Sequence, residues 1–480
     1  MTSTTTRRQV IVTSLAAGIA AALSPVRAVT MPPMTSAARI RCFLTARNSG
    51  ARLTEQPMLG HDAGEPDLPS VSVDTGERFQ VIEGFGGAFT EAAAVNWLSL
   101  GAARRHELLE AYFDRDRGHG YSLCRVHMGS CDFALGNYSH VEQPGDVDLA
   151  SFSIARDRQA LLPFIKAAQR VAPGPIKLLA SPWSPPAWMK TNGQMNGGGM
   201  LRAECRRAWA RCYVRFIEAY EAEGVPIWGV SVQNEPAAVQ RWDSCIYTAE
   251  EERDFVRDFL GPELEAARLG HVRIVIWDHN RDLMVERART VYSDPDAARY
   301  VWGTGFHWYG EDCFDHVQQV HDVWPDKQLL FTEGCQEGGP HHGSWDLGER
   351  YARSMINDLN RWTVGWIDWN LLLDDQGGPN HVGNFCSAPI LVDASTDAYS
   401  LQSSYFYLGH FARFVRPGAR RVLCTTGRQD LEAASFVNPD GSIATVVMNR
   451  SGQPLRFALR IDGMRTAADL PPRSIATYLA

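Results

Sequence analysis

Short apolar runs alternate with longer amphipathic stretches over most of the chain. Eight runs of strand length each end in polar, aromatic or glycine residues: 81–85, 121–127, 176–181, 227–232, 272–277, 301–307, 329–332 and 365–369. Between them, apolar residues at three-to-four spacing predict helices, most clearly at 154–171, 204–223, 249–267 and 347–362. Eight such alternations predict a (β/α)8 TIM barrel, an α/β fold.

The glycine-rich segment 83–89 raises an alternative, a doubly wound open sheet that binds a dinucleotide. That fold normally has fewer strands, and it opens its first helix with the pattern GxGxxG. The segment reads EGFGGAF, which lacks that spacing, and Glu83 would repel phosphate. We therefore expect its glycines to allow close backbone approach at the mouth of the first barrel strand.

The predicted barrel is flanked by β-patterned segments at both ends. Residues 39–45 and 70–74 alternate in polarity, and strand-like runs return after residue 391, at 421–425, 431–437, 443–449, 455–461 and 474–479. The N-terminal segment is too small to stand alone. We expect residues 29–78 and 391–480 to form one β-sandwich, packed on a barrel of residues 79–390.

The first 28 residues are typical of an export signal. Arg7 and Arg8 precede an apolar stretch, 10–23, that is too short to span a membrane, and residues 26–28 offer a small-residue cleavage site. The paired arginines resemble a twin-arginine signal, and a general secretory signal is the alternative. Either signal predicts a periplasmic or secreted protein, and no other segment is expected to span a membrane.

The composition excludes several classes of function. A net charge of −8 and a pI near 6.0 argue against a nucleic-acid-binding protein. The ten cysteines form no CxxC pair, and we expect most of them to be buried free thiols. His341 and His342 have no carboxylate or cysteine at ligand spacing, so no metal site is expected.

Two predicted strands end in a glutamate. Pro236 follows Glu235 and Gly334 follows Glu333, so neither strand continues. Barrels place catalytic groups at the C-terminal ends of strands, and the fourth and seventh strands face each other across the mouth. A retaining glycosidase uses two carboxyls about 5–5.5 Å apart. We expect Glu235 to be the acid/base, with a raised pKa, and Glu333 the nucleophile; the alternative is that each is only structural.

Several motifs occur in the order found in glycoside hydrolase family 30. They are residues 80–93, 180–193, 233–236, 306–309, 332–333, 365–370 and 377–380. The chain resembles this family from about residue 39 to residue 480, and within it most resembles the glucosylceramidases. The resemblance implies a TIM barrel with a β-sandwich, retention of configuration and no cofactor.

The resemblance also assigns residues around the two glutamates. It implies sugar-binding roles for Asp132, Trp183, Asn234, Trp369 and Asn384. It further implies that Arg125 orients the carboxylates and that His307 and Tyr309 set the hydrogen bonds and charge of the nucleophile. Each of these residues has a purely structural alternative, such as a cap, an ion pair or core packing.

The segment 240–245 departs from the glucosylceramidase pattern, because it does not keep the aromatic residues on the leaving-group side, and Arg241 and Asp243 there argue against ceramide recognition. The expected substrate is therefore a terminal β-glucosyl unit on a lipid, a simple glucoside or a β-glucan. A β-1,6-glucanase or β-xylosidase of the same family is the alternative. A catalytically silent carbohydrate-binding barrel is a different class, and the intact Asn234, Glu235 and Glu333 argue against it.

Overall fold

The structure is a computed structural model that describes residues 39–60 and 67–480. The predicted export signal and the first part of the predicted N-terminal β segment lie outside the described residues. In the part of the chain that is described, no helix combines the length and apolar character needed to cross a membrane.

Eight parallel strands form the closed barrel that the sequence predicts. Three strands precede it: β1 (Ile40–Ala46), β2 (Thr54–Leu59) and β3 (Ser70–Val81). The barrel strands are β4 (Gly84–Phe89), β5 (Leu123–Met128), β6 (Lys177–Pro182), β7 (Gly229–Ser231), β8 (Arg273–Asn280), β9 (Val301–His307), β10 (Gln328–Glu333) and β11 (Thr363–Asn370). Each strand pairs with the next in the chain, and β11 pairs with β4 to close the circle.

Helices connect the barrel strands and surround them. They are α1 (Glu91–Ser99), α2 (Ala102–Phe113), α3 (Leu161–Val171), α4 (Arg206–Ala222), α5 (Ala249–Phe255), α6 (Gly261–Ala266), α7 (Met284–Tyr292), α8 (Pro295–Ala298), α9 (Phe314–Val323), α10 (Trp345–Leu359) and α11 (Ser403–Ala412). A π-helical segment, Val256–Leu260, joins α5 to α6. Thr248 and Glu251 form a capping box that fixes the start of α5.

The first barrel strand begins later than predicted, at Gly84 instead of residue 81. Val81 ends β3, and all six residues of β4, including three glycines, are buried. A Cβ at Gly86 would lie 1.8 Å from the carbonyl oxygen of Leu123. The glycines thus allow close backbone approach, as expected, but they lie within the strand and not at its mouth. A side chain at Gly86 would collide with β5.

A nine-stranded sheet forms the second layer of the fold. Between the last barrel strand and the rest of this sheet, the chain forms a separate three-stranded sheet of β12 (Leu372–Asp374), β13 (Ile390–Asp393) and β14 (Ala398–Leu401). The strands β15 (Arg420–Thr426), β16 (Leu431–Val437), β17 (Ile443–Asn449), β18 (Leu455–Ile461), β19 (Met464–Leu470) and β20 (Ser474–Leu479) then join β1–β3, in the order β19-β18-β3-β15-β16-β17-β20-β1-β2.

This large sheet curves back on itself into the predicted sandwich. The rings of Phe457 in β18 and Tyr478 in β20 lie 6.0 Å apart, although four strands separate β18 from β20 in the sheet. The N-terminal strands belong to this sheet, as predicted. The edge strands β2 and β19 were not predicted, and the burial of β2 does not alternate.

The barrel interior changes from apolar to polar along its axis. Five side chains, each from a different barrel strand, fill one layer: Leu123, Leu179, Val275, Leu330 and Ile367. Each is fully buried, which stabilises the fold by about 1.5–3 kcal/mol per side chain. Two residues further along β5 and three along β10, the inward positions are Arg125 and Glu333. The apolar layer therefore forms the floor of a polar site at the C-terminal ends of the strands.

Candidate active site

A cavity of about 300 Å³ opens at the C-terminal ends of the barrel strands. Its walls are formed by Asp132, Trp183, Asn234, Glu235, Gln240, Trp242, His279, Asn280, Tyr309, Glu333, Cys335, Glu337, Trp369, Asn384 and Cys386. Every residue to which the sequence assigned catalysis or sugar binding is in this set. Arg125 and His307 are fully buried just beneath it.

A larger cavity, of about 510 Å³, lies elsewhere, beside Glu83 and Lys177. Lys177 is the first residue of β6 and Glu83 directly precedes β4, so this cavity is at the N-terminal end of the barrel. Residues at that end serve stability in TIM barrels. The smaller cavity is therefore the candidate active site.

Glu235 and Glu333 approach each other across the cavity. A carboxylate oxygen of one lies within 4.8 Å of a carboxylate oxygen of the other. Glu333 is the last residue of β10, whereas Glu235 lies beyond the end of β7 with a left-handed backbone, φ 48°. A non-glycine residue in that region is strained, and such strain is common at functional sites.

Arg125 connects the nucleophile candidate to its neighbours. Its guanidinium donates to Glu333 at 2.5 Å, to Asp278 at 2.7 Å, to the Asn234 side-chain oxygen at 2.8 Å and to Ser181 at 2.9 Å. The Arg125 side chain is fully buried. One buried cation thus fixes two buried carboxylates, and it occupies the oxygen of Asn234 so that the amide NH2 is left to donate.

His307 lies between two carboxylates. Its Nδ1 is 3.1 Å from Glu235, and its Nε2 is 3.0 Å from Asp278, which also accepts from Thr332 at 2.6 Å. A ring with a carboxylate at each nitrogen donates from both only when it is doubly protonated. His307 therefore supplies a positive charge beside Glu235. Tyr309 donates to Glu333 at 2.9 Å, in addition to Arg125.

The electrostatics of the two glutamates differ from the sequence-based expectation. Burial raises the pKa of Glu235, but the charge of His279 and the hydrogen bond and charge of His307 outweigh it and lower the pKa to about 2. The predicted raised pKa of Glu235 is wrong for this structure, because the expectation included burial and omitted both histidines. Burial raises the pKa of Glu333 against the charges of His307 and Arg125, and the charge of Glu235 raises it further.

His307 has the opposite shift. Burial lowers its pKa, but the charge of Glu333 and the hydrogen bonds to Asp278 and Glu235 raise it to about 9. Among the described residues, Glu235, His307 and Glu333 are the one group of three possible metal ligands close together. A doubly protonated His307 and the adjacent Arg125 do not suit a cation, so the donor set does not fit a metal.

The sugar-binding candidates form one side of the cavity. The rings of Trp183 and Trp369 stack at 5.0 Å, with the Arg125 guanidinium 4.7 Å from the Trp183 ring. Asp132 accepts from Asn384 at 3.0 Å and from Asn380 at 3.2 Å. Burial raises the pKa of Asp132 to about 7. This side combines an aromatic face with fixed polar groups, the arrangement that a sugar ring requires.

The leaving-group side differs from the sequence-based hypothesis about Arg241 and Asp243. Asp243 is buried and accepts from Ser130 at 2.5 Å and from Asn137 at 2.9 Å, and Arg241 is exposed outside the cavity. The cavity wall is formed instead by their neighbours Gln240 and Trp242. Asp243 is buried by contacts with another loop, which the sequence of its own loop does not reveal.

Sequence reasoning missed Asp278 and His279. Both residues follow the apolar run of the fifth predicted strand, just as Asn234 and Glu235 follow that of the fourth. Their position after a barrel strand could therefore have identified them as site residues. Trp277 and Asp278 have positive φ, 70° and 52°, and the β8–β9 register shifts there. This bulge turns Asp278 toward Arg125 while His279 faces the cavity.

Comparison with known proteins identifies the family. Residues 82–415 match the family model for the glycosyl hydrolase family 30 TIM-barrel domain, and residues 418–478 match that for the family 30 beta sandwich domain. The chain is 37% identical to the lysosomal acid glucosylceramidase of Mus musculus over 423 residues, which cover 84% of this chain and 82% of the relative.

Two further relatives show the spread of the family. The crystal structure of SrfJ from Salmonella typhimurium aligns with a TM-score of 0.88 and 40% identity, over 92% of this chain and 99% of the other. The endo-1,6-beta-D-glucanase of Neurospora crassa is 28% identical over 397 residues, which cover 79% of this chain and 80% of the relative. The chain therefore belongs to glycosyl hydrolase family 30 and is a glycosidase.

Proposed function

We propose that the protein is a retaining β-glycosidase that hydrolyses terminal β-glucosyl units by double displacement. The supporting observation is the approach of Glu235 and Glu333, whose nearest oxygens lie within 4.8 Å. An inverting enzyme needs roughly 6.5–9.5 Å between the carboxyl groups, to leave room for a water molecule. The nearest oxygens of Glu235 and Glu333 lie closer together than that range, which supports double displacement.

In the first step, Glu333 attacks the anomeric carbon while Glu235 protonates the departing oxygen. The C–O bond to the leaving group breaks, and a glycosyl ester forms on Glu333. Arg125 and Tyr309 hold the attacking carboxylate in place. His307 donates to Glu235 and orients its carboxyl group, and Glu235 takes up from solvent the proton that it delivers.

In the second step, Glu235 acts as a base. It removes a proton from water, whose oxygen attacks the glycosyl ester and releases Glu333. Formation of the ester removes the negative charge of Glu333, and the low pKa of Glu235 then suits the base form. Two inversions give net retention.

Proton NMR during hydrolysis of an aryl β-glucoside tests the stereochemistry. We expect β-glucose to accumulate first, with the α-anomer following by mutarotation. If α-glucose forms first, the double displacement is refuted.

The glucosyl preference is supported by the identity with glucosylceramidases, and the natural leaving group is the open part of the proposal. Glucosylceramide, octyl β-glucoside and gentiobiose should be assayed together with an aryl β-xyloside. We expect the glucosides to be hydrolysed with a kcat/KM at least about tenfold above that of the xyloside. A preference for the xyloside would refute the proposed sugar.

A β-1,6-glucanase is the second candidate. It is supported by the similarity to endo-1,6-glucanases and by the leaving-group wall, where Gln240 offers hydrogen bonds and Trp242 an aromatic face. A tryptophan face suits a second sugar as well as a lipid chain. Faster hydrolysis of gentiobiose than of glucosylceramide would favour this candidate.

We also propose that the enzyme is exported, which Arg7, Arg8 and the following apolar stretch support. Replacing both arginines with lysine should block a twin-arginine signal and leave a general secretory signal active. The N-terminal sequence of the extracytoplasmic protein would show the cleavage site. Retention of the unaltered protein in the cytoplasm would contradict export by either route.

A further inference from the structure

Lys190 is a fully buried lysine near the leaving-group wall. It follows a short 3-10 turn, Ala187–Met189, beyond the end of β6. Its ammonium donates to the backbone carbonyl of Met195 at 2.8 Å and to that of Ser244 at 2.5 Å. Among the described residues it has no carboxylate within ion-pair distance, so two carbonyl dipoles satisfy a buried charge.

The two carbonyls belong to different loops. Met195 lies in the loop 190–201 after β6, and Ser244 lies in the loop 236–248 after β7. The loops also exchange backbone bonds: Gly197 donates to Gln240 at 2.8 Å, Ser244 to Met195 at 3.0 Å, and Ile246 to Gly199 at 2.8 Å. Lys190 therefore lies at the seam that joins them.

The glycines at 197–199 make this seam possible. All three have positive φ, between 69° and 75°, and a Cβ at Gly199 would lie 2.5 Å from the Asn192 side chain. Glycines contribute no side-chain contacts, so the order of this part of the loop depends on hydrogen bonds. Asn192 of the same loop donates to the carbonyls of Asn196 at 3.0 Å and Gly198 at 3.2 Å, and the remaining bonds cross the seam, where those from Lys190 are the charged and therefore the stronger ones.

The loop held by this seam carries the leaving-group wall. Gln240 donates a hydrogen bond that lowers the pKa of Glu235, after the larger effects of burial and the two histidines. Trp242 packs against the cluster that contains Trp183 and Trp369. Lys190 itself does not line the cavity, so any effect that it has on the reaction passes through Gln240 and Trp242.

We propose that Lys190 is a positioning residue for the leaving group: it fastens the loop 236–248 to the loop 190–201 and so holds Gln240 and Trp242 against the proton donor. This inference rests on the proposed function of Glu235. Replacing Lys190 should therefore slow hydrolysis most for substrates whose leaving group contacts Gln240 and Trp242 and must be protonated.

Burial also lowers the pKa of Lys190, to about 8, against the charges of Cys245 and Asp243, which raise it. The neutral amine keeps two donors but forms weaker bonds to carbonyls than the ammonium does. Asp243 is in turn 3.6 Å from His381, on the far side of the seam. Asp243, His381 and Cys245 are the titratable groups around this lysine, and burial raises the pKa of the Cys245 thiol to about 12.

The test compares Lys190→Met with Lys327→Met. Lys327 also donates to two backbone carbonyls, those of Ala298 at 2.8 Å and Val301 at 3.0 Å, and in addition lies 3.7 Å from the carboxylate of Asp326. It precedes β10, at the N-terminal end of the barrel and away from the cavity. Comparing the two variants distinguishes the general effect of losing a carbonyl-bound lysine from the specific effect of weakening this seam.

The substrates are octyl β-glucoside, gentiobiose and 2,4-dinitrophenyl β-glucoside, whose leaving group needs no proton. We expect Lys190→Met to reduce kcat/KM on the first two by about tenfold or more, and on the third by less than about threefold. Lys327→Met should change none of them beyond about twofold. Equal losses on all three substrates, or no difference between the two variants, would overturn the proposal.

Hydrogen exchange gives a second measurement that does not need activity. Amides in 195–200 and 240–246 should exchange faster in Lys190→Met than in Lys327→Met. Unchanged exchange would refute the role of Lys190 even if the wild-type protein hydrolysed none of these glucosides, a result that would by itself refute only the proposed function.

A second variant acts on the same seam if Lys190→Met does not fold. The Ser244 hydroxyl accepts from the backbone of Gly198 at 2.9 Å and from that of Gln240 at 3.1 Å. Ser244→Ala should also reduce kcat/KM more on octyl β-glucoside and gentiobiose than on 2,4-dinitrophenyl β-glucoside. It should also speed amide exchange, and both changes should be smaller than in Lys190→Met. Wild-type behaviour of Ser244→Ala in both measurements would contradict a seam that positions the leaving-group wall.

Discussion

The guanidinium of Arg125 donates to the carboxylate of Glu333 at 2.5 Å, and neither side chain is more than 7% exposed. A buried carboxylate alone would be driven to its neutral form. Arg125 lowers the pKa of Glu333, although burial raises it more. The contact therefore keeps the nucleophile candidate aligned and opposes its neutralisation.

Replacement of Arg125 with methionine should reduce both activity and stability. It leaves Glu333 and Asp278 buried without their cation, which costs about 3–5 kcal/mol. We expect kcat/KM on an aryl β-glucoside to fall by at least about a hundredfold. Kinetics and urea denaturation, carried out on the same preparation, measure the two effects.

Arg281→Met is the matched control. Arg281 pairs with Asp358 at 2.6 Å, and both side chains are fully buried, but neither lines the cavity. This variant should lose comparable stability while its kcat/KM stays within about threefold of wild type in the folded fraction. Similar loss of activity in both variants would mean that Arg125 is only a structural ion pair.

The two glutamates should respond differently to replacement by glutamine. Glu333→Gln removes the nucleophile, so turnover of all glucosides should fall by about 10⁴-fold or more. Glu235→Gln removes the proton donor, so substrates with poor leaving groups should lose about 10²–10⁴-fold. The first step with a 2,4-dinitrophenyl glucoside should be spared.

Pre-steady-state kinetics with that substrate check the assignment. Glu235→Gln should show a burst of dinitrophenol, because the glycosyl ester forms and its hydrolysis lacks a base. Addition of azide should restore turnover and release a β-glucosyl azide. Wild-type turnover by either glutamine variant would refute the assigned roles.

The charge of His307 should make stability depend on pH. Its pKa in the folded protein, about 9, is above the unfolded value of about 6.5. The contribution is therefore fully present below pH 6.5 and is lost as the pH rises through 9. Between pH 6.5 and 8 the difference in the free energy of unfolding between wild type and His307→Gln should shrink by about 2 kcal/mol.

His410→Gln is the control for that experiment. His410 is also fully buried, but burial lowers its pKa to about 3, so it is neutral in both the folded and the unfolded protein above pH 7. The difference between wild type and this variant should change little from pH 6.5 to 8. A flat difference for His307→Gln as well would show that the ring is neutral in the folded protein.

Gly86 should tolerate no side chain. A Cβ there would lie 1.8 Å from the Leu123 carbonyl oxygen and 2.8 Å from the Cys124 sulfur, inside the barrel wall. We expect Gly86→Ala to cost more than about 4 kcal/mol or to prevent folding. Gly136→Ala meets nothing within 4 Å and should stay within about 0.5 kcal/mol. Thermal unfolding and soluble yield measure both variants.

The barrel could be predicted because its signals are local. Each strand is a short apolar run. Gly334 ends β10 immediately after Glu333, whereas β7 ends at Ser231 and Glu235 follows it in the loop. Parallel closure then brings the ends of the fourth and seventh strands to one mouth. The meeting of Glu235 and Glu333 follows from that topology, and the motifs added Asp132, Trp183 and Trp369 to the same cavity.

The position of Asp278, the pKa of Glu235 and the burial of Asp243 could not be predicted, because they depend on contacts between residues that are far apart in the chain. The bulge in β8 places Asp278 between Arg125 and His307, and neither partner is its neighbour in the chain. The low pKa of Glu235 arises from His279 and His307, on two other strands. The burial of Asp243 depends on Ser130 and Asn137, which a different loop supplies.

The sandwich has an order of completion that follows from its pairing. Arg41 in β1 pairs with Leu479 in β20, and β20 also pairs with β17, so β1 has no inner neighbour until β20 is in place. During synthesis the eight barrel strands leave the ribosome after β1 and before β20. The barrel can therefore close before β1 has its partner. The sandwich is then the last part of the molecule to fold, and until it does, its strands are exposed to proteases and to pairing with other chains.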